Sequence, residues 1–228
     1  MPAIGATALA VLPGLGYLTW KQCQVWRNTA SLWTHAVAIS PDSSIAQNGY
    51  GWVLLQDGRI DEALVHLRRA VELQPANEKA HNNIWFALHR QGRADELLQA
   101  YRDSIRVFPN FADAHYKLGL ELERRGQAED AMTEYRAALD IQPRRSKALA
   151  NLGQLLQQKG EIEEARRHYE RAIEADGANL IARRSFARLL WSQNCPAEAI
   201  AQLEAALRVA PNDETTRKLL EQWRSAPP

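Results

Sequence analysis

Six histidines are the first residues to weigh for chemistry: His35, His66, His81, His89, His115 and His168. His81 and His115 are separated by 34 residues. In a chain that repeats with that period the two imidazoles would sit on adjacent layers, where they could share a metal ion. A zinc site needs three or four protein ligands. The equivalent positions further on are Leu149 and Arg183, so no third ligand follows. Packing is the better expectation for both rings. Carboxylates are plentiful, among them Glu121, Glu123, Glu129 and Asp130, but many stand beside cations, as in Glu123-Arg124-Arg125. Ion pairs on a solvated helix face account for that pattern. There is no nucleophile elbow, no phosphate-cradling glycine loop and no metal-spaced Cys/His cluster. Arg144-Arg145 is too short a run for a nucleic-acid patch, and a net charge of +1 gives no general attraction to polyanions. The expectation is a chain with no enzymatic activity, no catalytic residues, no metal, no cofactor, no nucleic-acid partner and no small-molecule substrate.

The elements that position these side chains follow from the prolines. Pro41, Pro75, Pro109, Pro143 and Pro211 lie on a lattice with a step of 34 residues, and the vacant point is Gly177. A fixed period of this length marks a repeat array. The intervals are 44–77, 78–111, 112–145, 146–179 and 180–213. The eighth position of each holds Gly51, Trp85, Gly119, Gly153 and Ala187; the twentieth holds Ala63, Leu97, Ala131, Ala165 and Ala199. Small residues at both places let two helices approach closely. Trp85 and Leu97 break the rule together, which predicts a splayed or differently packed pair in 78–111. Position 11 is leucine throughout, and position 24 carries Leu67, Tyr101, Tyr135, Tyr169 and Leu203 as knobs for the next layer. Gly58, Gly92, Gly126, Gly160 and Asn194 fall between the helices, where a left-handed residue ends the first one.

These columns resemble the tetratricopeptide repeat (TPR) family over residues 29 to 213. The resemblance implies an all-α fold, a right-handed α-solenoid of antiparallel helix pairs in which neighbours supply each other's core. Residues 21–43 read as a degenerate first repeat, with Leu32, Trp33, Ala36 and Ile39 at helical spacing. Residues 214–225 read as a capping helix, with Asp213 as its N-cap and Leu219, Leu220 and Trp223 on one side. Cys23 and Cys195 are about five repeats apart, too far for a disulfide, and do not report a compartment.

Residues 1–20 form an apolar segment, uncharged from 3 to 18, with Tyr17, Trp20 and Lys21 at its end. As a short hydrophobic helix, residues 2–20 would cover about 28 Å, against roughly 30 Å of hydrocarbon. A membrane anchor is the first expectation; a leader packed on the first repeat and a signal peptide are the alternatives. The nearness of Met1 to this run suggests a piece of a longer protein. Thr19, Trp20, Gln22, Trp26, Leu32, Trp33 and Ala36 also resemble the junction at which the last membrane helix of TPR-containing O-mannosyltransferase-like glycosyltransferases enters its repeat array. That resemblance implies an extracytoplasmic array beside a membrane, without the catalytic loops; a soluble cytoplasmic chain is the alternative.

In a TPR stack the first helix of each pair lines the concave side. Here that face carries Asn48, Trp52 and Gln56; Lys79, Asn82, Asn83, Phe86, His89 and Arg90; Tyr116, Lys117 and Arg124; Lys147, Asn151, Gln154 and Gln158; and Arg184, Arg188 and Trp191. Amides can read a peptide backbone, cations can take carboxylates, and Trp52, Phe86 and Trp191, if exposed, can anchor apolar side chains. Asn83 and Asn151 resemble part of the asparagine ladder of peptide-holding TPR grooves, with Gly49, Lys117 and Ser185 at the other rungs. The carboxylate clamp of chaperone-binding TPRs is incomplete, since Asp113 stands where a cation is required. The expected function is a protein-interaction scaffold that binds a protein or peptide segment in this groove. The alternatives are the non-catalytic C-terminal part of a membrane protein O-glycosyltransferase that recruits acceptor proteins, and a scaffold that self-associates through Trp20, Trp26 and Trp33.

Overall fold

The computed structural model describes residues 28–225. The apolar segment 2–20, the hydrophobic helix expected there and residues 21–27 of the degenerate first repeat lie outside the described residues. Among the described residues there are twelve α-helices and no strand, and no helix is long and apolar enough to cross a membrane.

The chain divides into two compact units at Phe108 and Pro109. The first contains α1 (Thr29–Ile39), α2 (Ser44–Gln56), α3 (Ile60–Leu73), α4 (Glu78–Arg90) and α5 (Ala94–Val107). The second contains α6 (Ala112–Arg124), α7 (Ala128–Ile141), α8 (Ser146–Lys159), α9 (Ile162–Ala175), α10 (Leu180–Ser192), α11 (Pro196–Val209) and α12 (Glu214–Ser225). From α2 to α11 the helices come in antiparallel pairs, one pair in each 34-residue interval.

The turn inside each pair is set by one backbone bond. The amide of position 16 returns to the carbonyl of the position-11 leucine, as from Arg59 to Leu54, Gln127 to Leu122 and Cys195 to Leu190, at 2.9–3.0 Å. The residue between must be left-handed, and Gly58, Gly92, Gly126, Gly160 and Asn194 all have positive φ. The turn between pairs is tied by its caps. Asn77 accepts from the Ala80 amide and donates to the Ser44 hydroxyl, which donates to the Ala70 carbonyl. Asn179, Ser146 and Ala172 repeat this relay in the second unit. One side-chain chain thus satisfies a helix start and a helix end together.

Close approach within a pair depends on position 8. A methyl group on Gly119 would lie 2.6 Å from the Tyr135 ring and one on Gly153 2.8 Å from Tyr169, so each tyrosine is seated on its own pair's glycine. The knobs therefore pack within their pair as well as toward the next layer. In 78–111 the slot is filled by Trp85, which is buried and meets Tyr101 edge-on at 5.0 Å between ring centroids. The helices there are held apart, and a cleft of about 460 Å³ opens, floored by Ile84, Trp85 and Leu88 and rimmed by Arg68, Glu96 and Asp103.

Asp213 caps α12 by accepting from the amide and hydroxyl of Thr216. Leu220 and Trp223 of α12 are buried, and Trp223 stacks on Trp191 with ring centroids 4.5 Å apart.

Candidate functional site

The histidines prove to brace turns. His81 donates through Nε2 to the carbonyl of Pro75 at 2.8 Å, and His115 does the same to Pro109 at 3.1 Å. This role belongs to the position-4 column with one exception, Leu149. Gln47 donates to Pro41 at 2.6 Å, Arg183 to Gly177 at 2.8 Å and Arg217 to Pro211 at 2.6 Å. Leu149 has no donor, and Arg171 reaches the Pro143 carbonyl instead at 3.3 Å. The sequence carries this signal as a long N–H donor six residues after five of the six lattice points, 143 being the exception. Among the described residues no group of three or more His, Cys, Asp or Glu is placed to hold a metal ion.

The far side of each ring sets its titration. His81 turns Nδ1 to the Ser104 hydroxyl at 2.8 Å, and burial holds its pKa below the ordinary 6.5. His66 and His168 are lowered by burial too. His115 lies 2.7 Å from the Glu134 carboxylate, which raises it. A lowered histidine contributes stability that is present above pH 6.5 and lost as pH falls through its folded value; for raised His115 the contribution is present below 6.5 and lost as pH rises through its folded value. Each of the three lowered rings is expected to lower the urea midpoint as the pH falls from about 7.5 to about 5. Gln47 shows that an amide can make the same brace, so His81→Gln should reduce that loss; an unchanged pH profile would refute the assignment.

The expected groove residues separate into those left open and those taken by their own neighbours. In the first unit a cleft of about 340 Å³ is lined by Trp33, Asn48, Gly49, Trp52, Lys79, Asn82 and Asn83. Trp52 and Phe86 are 39% and 42% exposed, with ring centroids 6.1 Å apart. Arg90 lies over the Phe86 ring at 5.7 Å and donates to the Leu55 carbonyl. Asn83 donates to Asn48 Oδ1 at 2.9 Å. Lys79, Asn82, Gln56 and His89 are exposed. Gly49 leaves room for Trp33, whose ring would lie 2.2 Å from a methyl group there, so Trp33 is part of the cleft wall.

In the second unit several of the expected groove residues are engaged by neighbours within the chain. Asn151 is buried and donates to the Tyr135 hydroxyl at 3.2 Å, which donates to Glu123 at 2.6 Å; its ladder rung is spent inside the array. Tyr116 is buried, with Arg145 over its ring at 4.6 Å and paired to Asp113. Arg184 is bound to Asp213 at 2.8 Å and Arg124 to Glu121 at 2.7 Å. Trp191 is covered by Trp223. Lys117, Lys147, Gln158 and Arg188 are exposed, and Gln154 donates to the Ser185 hydroxyl at 2.7 Å. Of the residues that carry the junction resemblance, Leu32, Trp33 and Ala36 are described, all in α1.

Comparison with known proteins agrees with this architecture. A TPR repeat model matches residues 51–92, and two tetratricopeptide repeat models match residues 87–146 and 146–179. No curated protein matches the chain in sequence. Among solved structures, YrrB, described as a TPR protein with an unusual peptide-binding site, is 17% identical with a TM-score of 0.63, over 83% of this chain and 97% of its own. PilF of Pseudomonas aeruginosa is 18% identical with a TM-score of 0.63, over 79% and 88%. Yeast Tom70 is 18% identical with a TM-score of 0.66, over 84% of this chain and 42% of Tom70. The repeat models run unbroken from residue 51 to residue 179, more than half the chain, over helix pairs of matching period, and the chain belongs to the tetratricopeptide repeat family.

Proposed function

We propose that this chain is a non-catalytic scaffold that holds a segment of another protein on the first helices of its pairs. The observation that carries the proposal is the exposed pair Trp52 and Phe86 beside an amide-lined cleft. Large aromatics left open to water next to convergent amides form an anchor for an apolar side chain, with donors and acceptors at hand for the backbone around it. Lys79 is the one cation in the lining of that cleft, which has no carboxylate. The peptide-binding site attributed to YrrB agrees with this use of the fold.

Selection of random peptides displayed on phage against the immobilised full chain tests the reading. Enriched peptides should share an apolar anchor residue, and Trp52→Ala with Phe86→Ala should weaken their binding at least about tenfold while helicity is unchanged. No enrichment, or enriched peptides that bind the double variant equally well, would sink it.

A further inference from the structure

Within the second unit, a cleft of about 400 Å³ is lined by Gln154, Gln157, Gln158, Tyr169, Ser185 and Arg188. The lining holds one cation and no carboxylate. Two hydrogen bonds within the lining bear on which way its amides point. Gln154 Nε2 donates to Ser185 Oγ at 2.7 Å. The Tyr169 phenol, in the same lining, donates to Gln157 Oε1 at 2.9 Å. Tyr169 is fully buried, so its hydroxyl must give its proton to a protein acceptor. The Gln157 carbonyl is used from behind, and the NH₂ is the end left for the cleft.

The preceding pair shows what the acceptor of the tyrosine hydroxyl decides. There Asn151 donates to Tyr135, and Tyr135 donates to Glu123. Tyr135 thus donates to a carboxylate, whereas Tyr169 donates to an amide whose other end presents donors. Arg188 is exposed and makes no ion pair among the described residues, in contrast to Arg184, one turn earlier, bound to Asp213.

We propose that this cleft is a carboxylate subsite: it takes an aspartate or glutamate side chain of the bound segment, with Arg188 supplying the charge and the Gln157 and Gln158 amides supplying N–H donors. The inference rests on the reading that the inner face holds a protein segment. A guanidinium joined by neutral donors matches the two oxygens of a carboxylate and adds no competing negative charge.

A free peptide C-terminus offers the same group, so the test separates the two sources. The probes are a short fluorescent glutamate-rich peptide with amidated C-terminus, its glutamine counterpart, and that counterpart with a free C-terminus. Binding to the full chain is followed by anisotropy. The amidated glutamate peptide should bind at least about tenfold more tightly than its glutamine counterpart. Arg188→Gln should lower that affinity about tenfold and reduce its salt dependence, and Gln157→Glu should weaken it as well. Equal affinity for the two amidated peptides, or an unchanged affinity in Arg188→Gln, overturns the subsite. Binding restricted to the free C-terminus overturns the side-chain assignment. Loss of selected peptides in the Trp52/Phe86 variant, with no effect of Arg188→Gln, refutes the subsite alone; no effect of either refutes the scaffold reading too.

Discussion

Tyr135→Ala is expected to destabilise the second unit by about 3–5 kcal/mol, the range for removing a large buried aromatic. Tyr135 has no exposed surface. Its ring rests on Gly119, and its hydroxyl joins Asn151 to Glu123. The ring contribution and the hydroxyl contribution can be separated. Tyr135→Phe keeps the packing and leaves the Asn151 donor and the Glu123 acceptor without the phenol. Its cost should be about 1–3 kcal/mol, toward the low end because Glu123 is only half-buried. Urea unfolding of the full chain measures both. An alanine variant within about 1 kcal/mol of the wild type would show that the glycine seat does not organise this pair.

Trp223→Ala is expected to cost about 3 kcal/mol and to alter behaviour in solution. The indole is almost wholly buried and lies nearly parallel to Trp191, with 11° between the planes. Its loss removes a stacked pair and uncovers Trp191 on a helix pair that α12 normally covers. An open terminal layer of a repeat array is apolar and invites association. A lower urea midpoint should therefore be accompanied by an increase in mass at higher protein concentration in sedimentation. A variant that unfolds at the wild-type midpoint and stays at the wild-type mass would mean that α12 is not an energetic cap.

The helix pairs were legible because their requirements recur in phase. A left-handed residue at Gly58 and its equivalents, a leucine carbonyl to accept the turn amide, and a small residue under each knob are demands that only a few residue types meet. Even the exception was readable: Trp85 and Leu97 announced a pair held apart, and a cleft is found there. The groove was less legible. Periodicity tells which face a residue takes but not whether a neighbour has already used its polar atoms. Asn151, Arg184 and Trp191 sit at inner-face positions, yet their partners Tyr135, Asp213 and Trp223 lie 16, 29 and 32 residues away, and no single column displays those pairings. Trp33 lines the first cleft because Gly49, 16 residues away, makes room for it, a pairing the helical spacing around Trp33 does not display.

The braces at the turns say something about how such an array can be lengthened. What each position-4 donor holds is a carbonyl oxygen, which every amino acid possesses, and not the pyrrolidine ring. Gly177 occupies a proline site and its bond to Arg183 is as short as that of His81 to Pro75. The lattice residue is thus exchangeable, while the reach of its donor is not. A transplanted module with proline but with a short or apolar side chain six residues later would arrive without its fastening, unless, as Arg171 does for Pro143, another long side chain came with it.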